Sequence, residues 1–175
     1  MVLPASPRIL VAGTSGAGKS TLAASISEKL DLPYMEIDSL FHGENWTPRV
    51  TFLDDIEAIA AGERWVSEWQ YEDARPILAR RATTMVWLDY RWPVQMSRAI
   101  RRTVRRRLAG DELWNGNTEG PLVGVLTDDE HIIRWAWRTR HSLRDLPERL
   151  AADHPHLTLV RLRSSRAAER WLDSI

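Results

Sequence analysis

The segment VAGTSGAGKST, residues 11–21, contains the pattern Gly-x-x-x-x-Gly-Lys-Ser. It follows a short apolar run at 8–13, and it precedes a segment in which Leu22, Ile26 and Leu30 recur every four residues, which predicts a helix. Glycines let a loop backbone approach phosphate oxygens and turn its N–H groups inward, and the N-terminus of the following helix attracts anions. A strand, this loop and a helix in that order predict a nucleotide-phosphate site.

The loop residues have expected roles in binding ATP and Mg²⁺. Lys19 is expected to reach the β- and γ-phosphates, and the Ser20 hydroxyl is expected to bind Mg²⁺. The residues expected to surround the phosphates are Gly13, Thr14, Ser15, Gly16, Ala17, Gly18, Lys19, Ser20 and Thr21. Because the chain has only one other lysine, Lys29, the lysine in the motif is hard to ascribe to chance.

Length and composition predict one globular domain over residues 1–175. Apolar residues make up 43% of the 175, which is enough for a core of its own. No apolar run reaches the roughly 20 residues of a membrane span, and the N-terminal MVLPASPRIL lacks the pattern of a secretory signal, so a cytoplasmic protein is expected. The sequence has no cysteine, which excludes disulfides and thiolate metal sites, and its five His show no metal-ligand spacing.

Strand-like and helix-like segments alternate along the chain. Strands are predicted at 8–13, 31–38, 64–69, 83–90 and 157–163. Helices are predicted at 19–30, 51–62, 74–82 and about 93–108, over much of 128–152 with a break near Pro147, and after a cap at Ser164 or Ser165. This alternation predicts an α/β fold with a doubly wound parallel sheet.

Acidic residues follow several predicted strands, at the edge where open α/β sheets bind ligands. Glu68 is expected to hold a water of the Mg²⁺ shell or to orient the acceptor, and Asp89 is the alternative acid for the metal. Glu36 and Asp38 would share one face of the second strand, because side chains alternate along a strand. Asp38 is expected to accept the proton of a substrate hydroxyl, the alternative being an Asp that caps the next turn.

Residues 91–107 contain seven Arg and no acid. Helical spacing places Arg98, Arg101, Arg102 and Arg105 on one face, and Ile100, Val104 and Leu108 on the other, through which the helix would pack. Arg102 and Arg105 are expected to neutralise charge that develops on a transferring phosphoryl group. The competing interpretation is a nucleic-acid patch, which the net charge of zero disfavours.

Five segments taken together resemble a known family. They are GTSGAGKSTLA, IDSLFHGENWTP, WVSEWQY, VWLDYRWP followed by SRAIRRTVRRRL, and ELWNGN, and they span nearly the whole chain. They resemble the adenylate-kinase-like P-loop proteins often called topology modulation proteins, which are similar in layout to nucleoside monophosphate, shikimate and gluconate kinases. The phosphate loop is generic to many families, whereas the order of the tryptophan-bearing segments is much more specific.

The resemblance implies a five-stranded parallel sheet in the order 2-3-1-4-5, with helices on both faces and with ATP and Mg²⁺ at the loop. It implies an acceptor site made by the segment after strand 2 and the end of strand 3, and an Arg-bearing lid near 105–125. Strand 3 lies beside the loop strand in such kinases, which favours Glu68 over Asp89 at the metal. Many relatives carry Asp and Gly where this chain has Glu68 and Trp69.

The acceptor segments, 36–49 and 65–75, hold six acids and only two arginines, Arg49 and Arg75. That balance predicts a small-molecule acceptor with a hydroxyl rather than a phosphate. The residues expected to contact it are Asp38, Trp46, Glu68, Tyr71 and Arg75. The predicted function is an ATP-dependent kinase, acting as a monomer or homodimer; the alternative is a nucleotide-gated ATPase that binds nucleic acid through 91–107.

Overall fold

The computed structural model describes residues 3–118 and 132–175. The strands in this part of the chain are β1 (Arg8–Ala12), β2 (Trp65–Glu68), β3 (Thr84–Leu88) and β4 (Thr158–Leu162). They are all parallel and lie in the order β2-β1-β3-β4. Leu10 of β1 lies beside Ser67 on one side and Met85 on the other. The loop that leaves β1 therefore opens between the ends of β2 and β3.

Helices connect these strands and cover both faces of the sheet. Those described are α1 (Lys19–Leu30), α2 (Ile37–Phe41), α3 (Phe52–Ala61), α4 (Ala74–Arg81), α5 (Trp92–Ala109), α6 (Ile132–Arg138), α7 (Leu146–Asp153) and α8 (Ser165–Asp173). Ser164 caps α8 by accepting a hydrogen bond from the Ala167 N–H, so the first of the two expected caps is confirmed. The break near Pro147 is also confirmed, because turns occupy 139–145 and the proline lies in the first turn of α7, where it displaces no hydrogen bond.

The second predicted strand, over 31–38, does not form. Tyr34 makes a single bridge opposite Val66, whose N–H donates to the Pro33 carbonyl at 3.0 Å. Pro33 has no N–H of its own for a ladder, and α2 begins at Ile37, which ends the extended stretch. The prediction of five strands is therefore wrong: the described sheet has four, which keep the expected order, and only Tyr34 stands where the edge strand was expected.

Two apolar layers hold the sheet. Leu10, Trp65 and Met85 point toward one layer, which α3, α4 and α7 complete, and Val11 and Val86 point toward the other, under α1 and α8. Strands β1, β2 and β3 are buried almost throughout, as expected of parallel strands covered on both faces. This burial fixes the strand ends, from which the site residues project. None of the helices within 3–118 or 132–175 is long and apolar enough to cross a membrane.

Helix α5 packs closely on the loop after β1, through small or polar side chains. Those buried on the helix are Gln95, Ala99 and Thr103. A Cβ added to Gly16 would lie 2.1 Å from the Gln95 carbonyl oxygen, so the two backbones are in contact. Ile100 and Leu108, on the predicted packing face, are 39% and 79% exposed. The predicted face therefore packs only in part, at Ile100, which lines a groove with Ile133 and Trp137 of α6, while close approach to Gly16 selects the small side chains of the most buried face.

Candidate active site

The loop between β1 and α1 is built from backbone conformations that favour glycine. Gly16 and Gly18 have φ angles of 79° and 93°, and the Ala17 N–H donates to the Thr14 carbonyl at 3.1 Å. A Cβ on Gly13 would lie 2.8 Å from that of Ala17, whereas one on Gly18 would meet no atom within 4 Å. The loop is thus tightly packed at Gly13, but the space beside Gly18 is open. No acid occupies the first turn of α1. This geometry fits bound phosphates.

Lys19, the first residue of α1, is partly buried at the centre of the site. Burial lowers the pKa of Lys19 most strongly, because it removes water from the ammonium group. The residues whose charges also act on the pKa of Lys19 are Asp38 and Glu68, which raise it, and Arg102 and Arg75, which lower it. The charges of four predicted site residues, from α2, β2, α4 and α5, therefore act on a fifth, Lys19.

Glu68, at the end of β2, is only 1% exposed. Its carboxylate accepts hydrogen bonds from the Tyr34 hydroxyl at 2.8 Å and the Ile37 N–H at 3.1 Å. Burial raises the pKa of Glu68, and hydrogen bonds from Ile37, Tyr34 and the Ser20 hydroxyl oppose that rise. Glu68 and Ser20 thus place oxygen atoms side by side, the donor type that Mg²⁺ prefers.

Asp89, the alternative acid for the metal, is held elsewhere. It follows β3, on the other side of the loop from Glu68, and its carboxylate forms an ion pair with Arg161 at 2.6 Å. Together with Thr14 it lines a separate cavity of about 200 Å³. The positions of the two acids favour Glu68 as the partner of Ser20.

Asp38 lies in helix α2 rather than in a strand. Its Oδ1 accepts hydrogen bonds from the Tyr71 hydroxyl, at 2.6 Å, and from the Gln70 amide. Glu36, expected on the same face, instead accepts a hydrogen bond from the Trp114 indole at 2.7 Å. The strand-based pairing of the two acids is wrong, because the helix separates them, and Asp38 is the one whose charge acts on Lys19.

The arginines of α5 do not converge. Arg102 lies where its charge acts on Lys19, whereas Arg105 has a side chain 76% exposed and lies 3.9 Å from the Asp111 carboxylate. Arg98 donates to the Ser165 hydroxyl at 2.6 Å. The expected lid near 105–125 is described only as far as residue 118; its remainder lies outside the described residues.

Arg75, also expected at the acceptor, lies over the Trp69 ring, 4.7 Å from its centroid. Burial lowers the pKa of Arg75, and the positive charge of Arg149 lowers it further. Arg149 lies 6.0 Å from the centroid of the same ring. The guanidinium groups of Arg75 and Arg149 thus both lie near the ring of Trp69. Many of the resembled proteins carry Gly at this position.

Trp46 belongs to a tight turn at residues 44–47. Asn45 and Trp46 both have positive φ, at 54° and 60°, and the Thr47 N–H donates to the Glu44 carbonyl, the pattern of a type I′ turn. The turn at 114–117 repeats this pattern, with positive φ at Asn115 and Gly116. Asn-Gly is the preferred pair for such a turn, so the second could have been predicted from the sequence; Trp46 gives no such signal.

The two turns dock against each other. Asn117 accepts from the Trp46 N–H at 2.9 Å and donates to the Gly43 carbonyl at 2.8 Å, and Asn115 donates to the Ser39 carbonyl at 3.3 Å. The Trp46 and Trp114 rings lie edge to face, with centroids 6.3 Å apart. Residues 112–118 therefore cover the predicted acceptor segment. The roles of Trp114, Asn115 and Asn117 do not follow from the sequence, because their partners lie 71 to 78 residues away in the chain.

No protein-family model and no curated protein sequence matches the chain. Among solved structures it is similar to shikimate kinase from Acinetobacter baumannii in complex with shikimate, at 16% identity over 97% of this chain and 90% of that chain, with a TM-score of 0.55. A gluconokinase from Sinorhizobium meliloti 1021 matches at 20% identity, over 97% and 93%, with a TM-score of 0.53. Shikimate kinase from Bacteroides thetaiotaomicron matches at 17% identity, over 96% and 97%, with a TM-score of 0.50. Identities this low show the fold alone: the chain has the fold of these kinases, as the sequence resemblance implied.

Proposed function

We propose that the chain is an ATP-dependent kinase that transfers the γ-phosphoryl group of Mg-ATP to a hydroxyl of a small acceptor. The observation that carries this proposal is the convergence on Lys19. Two acids, Asp38 and Glu68, and two arginines, Arg75 and Arg102, act on its ammonium group. Phosphoryl transfer needs a fixed cation at the phosphate, an acid at the acceptor and further positive charge for the transition state, and this cluster supplies all three.

On the nucleotide side, the backbone N–H groups of the open loop bind the phosphates. The Lys19 ammonium stays in contact with the γ-phosphate during its transfer. The hydroxyl of Ser20 and the carboxylate of Glu68 are the groups that would hold Mg²⁺, Ser20 directly and Glu68 through a water. When bound, Mg²⁺ supplies charge neutralisation on the phosphate oxygens. The partial burial of Lys19 and the nearly complete burial of Glu68 limit their contact with water, which strengthens their electrostatic interactions.

On the acceptor side, Asp38 takes the proton of the attacking hydroxyl. Its Oδ1 is occupied by hydrogen bonds from Gln70 and Tyr71, while its Oδ2 accepts none from the residues that the structure describes. The free oxygen is the one available to the acceptor. Trp46 and Tyr71 offer aromatic surface for the body of the acceptor, and Arg75 offers positive charge beside it.

The competing function, nucleic-acid binding through 91–107, needs a continuous basic surface. The structure engages at least three of the seven arginines within the protein. Arg98 reaches Ser165, Arg102 acts on Lys19, and Arg106 lies over the Trp114 ring at 5.8 Å. The segment therefore supports the kinase proposal better than the alternative.

A screen of ADP release in the presence of Mg-ATP tests the proposed function. The acceptors to compare are nucleosides, nucleoside monophosphates, sugars, sugar alcohols and sugar acids. We expect one hydroxyl compound to raise ADP release well above the rate in its absence, with a phosphorylated product detectable by mass spectrometry. ADP release that no acceptor raises, together with salt-dependent retardation of DNA or RNA, would overturn the proposal in favour of the alternative.

A further inference from the structure

A short chain of polar contacts leads from Asp38 to His42. The Tyr71 hydroxyl lies 2.6 Å from Asp38 Oδ1 and 3.1 Å from His42 Nε2. A phenol has one proton to donate, and a carboxylate can only accept. When Asp38 is ionised, Tyr71 must donate to it, so the hydrogen between Tyr71 and His42 must be carried by His42 Nε2.

The other ring nitrogen of His42 agrees with this assignment. Nδ1 is buried and has no hydrogen-bond partner among the described residues. With the hydrogen on Nδ1, that N–H would be buried without a partner and the Nε2 lone pair would face the oxygen of Tyr71, so both ring nitrogens would be unsatisfied. Burial lowers the pKa of His42, and the negative charge of Asp38 only partly offsets it. The neutral ring with hydrogen on Nε2 is therefore the favoured form.

Residues 112–118 hold this ring from the other side. The Trp114 ring lies nearly parallel to that of His42, at 25° and 5.8 Å, and the Trp46 ring meets it edge-on at 4.9 Å. The Asn115 amide donates to the His42 carbonyl. His42 is thus contacted both by the turn that covers the acceptor segment and by the tyrosine that orients Asp38.

We propose that His42 is a positioning residue that links the 112–118 turn to the Asp38 carboxylate through Tyr71. This rests on the proposed function in taking Asp38 as the base for the acceptor hydroxyl. The His42 Nε2–H fixes the direction of the Tyr71 hydroxyl, and Tyr71 in turn holds Asp38 Oδ1. Oδ2 is then directed at the reacting hydroxyl with little freedom to rotate, as efficient proton transfer requires.

The hydrogen-bond chain itself is tested by ¹⁵N NMR of the imidazole nitrogens in the full chain, without any acceptor. The His42 signals are identified by their loss in His42→Gln. We expect the neutral Nε2–H form in the wild type, and a mixture of the two neutral forms in Tyr71→Phe, which removes the acceptor of that hydrogen. A wild-type ring protonated on Nδ1, or one unchanged by Tyr71→Phe, would overturn the proposal whether or not the chain is a kinase.

The link to catalysis is tested with the acceptor found by the screen. His42→Phe keeps an aromatic ring but no N–H, whereas Gln can still donate to Tyr71. We expect His42→Phe to lower kcat about tenfold with KM for ATP unchanged, whereas the kcat of His42→Gln should lie within about threefold of wild type. In the double variant, His42→Phe should cause no further loss of kcat beyond that of Tyr71→Phe. Thermal unfolding of each variant identifies any that merely unfold. Equal losses in the Phe and Gln variants, or additive losses in the double variant, would contradict the proposal; an absence of turnover with every acceptor would instead count against the proposed function.

Discussion

The two halves of the candidate site are built by different means. The nucleotide half, 13–21, is one continuous segment whose shape comes from backbone conformation, with Gly16 and Gly18 at positive φ. The acceptor half is assembled from three segments, joined by side-chain hydrogen bonds such as those from Tyr71 to Asp38 and from Trp114 to Glu36. Binding by backbone groups suits the phosphates, which are the same in every nucleoside triphosphate. A half that binds through side chains can instead be altered by single substitutions. The following predictions test that contrast, from the largest expected effect to the smallest.

Lys19→Ala tests the nucleotide half. Removing the cation that follows the γ-phosphate should lower the rate of phosphoryl transfer by about 10³-fold or more, because transition-state charge loses several kcal/mol of stabilisation. The measurement is steady-state ADP release, with circular dichroism to verify the fold. Lys29→Ala is the matched control, since Lys29 is exposed at the far end of α1 and, among the described residues, donates only to the Leu172 carbonyl of α8. Turnover of Lys19→Ala within tenfold of wild type would refute the assignment.

Asp38→Asn tests the acceptor half. The amide cannot accept the proton of the attacking hydroxyl, so kcat should fall by about 10²-fold or more, while KM for ATP changes little. Asp31→Asn is the control, because Asp31 has positive φ at the end of α1, a conformation that Asn tolerates well. If a nucleoside monophosphate is a good acceptor and the substitution leaves its turnover unchanged, the acceptor half has been wrongly assigned.

The next test compares Arg102→Ala with Arg105→Ala. It asks which arginine meets the charge that develops on the phosphoryl group as it passes from the nucleotide to the acceptor. Arg102 acts on Lys19, whereas Arg105 is exposed near Asp111, so Arg102→Ala should lower kcat about tenfold or more and Arg105→Ala distinctly less. The comparison to measure is kcat against KM for ATP, with exposed Arg101→Ala as the control. A change in KM for ATP alone would show that these arginines bind nucleotide and do not meet transition-state charge.

Substitutions at Trp46 test whether the positive φ of this residue strains the backbone of the acceptor half. Trp46→Gly and Trp46→Ala both remove the ring, so its contacts cancel when the two are compared. Only glycine adopts positive φ without penalty, so the Gly variant should be more stable by about 1 kcal/mol, roughly 2–4 °C in Tm. Gly116→Ala, at the matching place in the second turn, should lose a similar amount, since its added Cβ meets nothing closer than Glu112 at 3.9 Å. Equal Tm values for the two Trp46 variants would show that residue 46 does not have positive φ.

The contrast between the halves also explains how far the sequence predicts the molecule. The phosphate loop, the central strands and most helices follow from local pattern, and each lies close to its predicted bounds. The prediction of an edge strand over 31–38 is wrong. The apolar residues there suit a strand, but Pro33 and the early start of α2 prevent one. The packing face of α5 is predicted only in part, because contact with Gly16 selects small side chains on its most buried face.

The acceptor half was predicted only in part. Acids at strand ends pointed to Asp38 and Glu68, since the carboxyl edge of a parallel sheet collects such residues. His42 and Trp114 do not follow from the sequence, because their contacts join residues 29 to 78 positions apart, and no local pattern in one sequence records them. Arg149 was missed for the same reason, since its neighbour Trp69 lies on the other side of the undescribed segment.

The docking of the two turns has a consequence for the rate of the proposed reaction. Under the proposed function, an acceptor beneath residues 112–118 leaves when the two turns separate, and their separation breaks several hydrogen bonds together, each worth about 0.5–1.5 kcal/mol. We therefore expect the opened form to be a minor population, reached on the microsecond-to-millisecond timescale of lid motions. We expect product departure, rather than the chemical step, to limit turnover, so that solvent viscosity slows the enzyme and an initial burst of product precedes the steady rate.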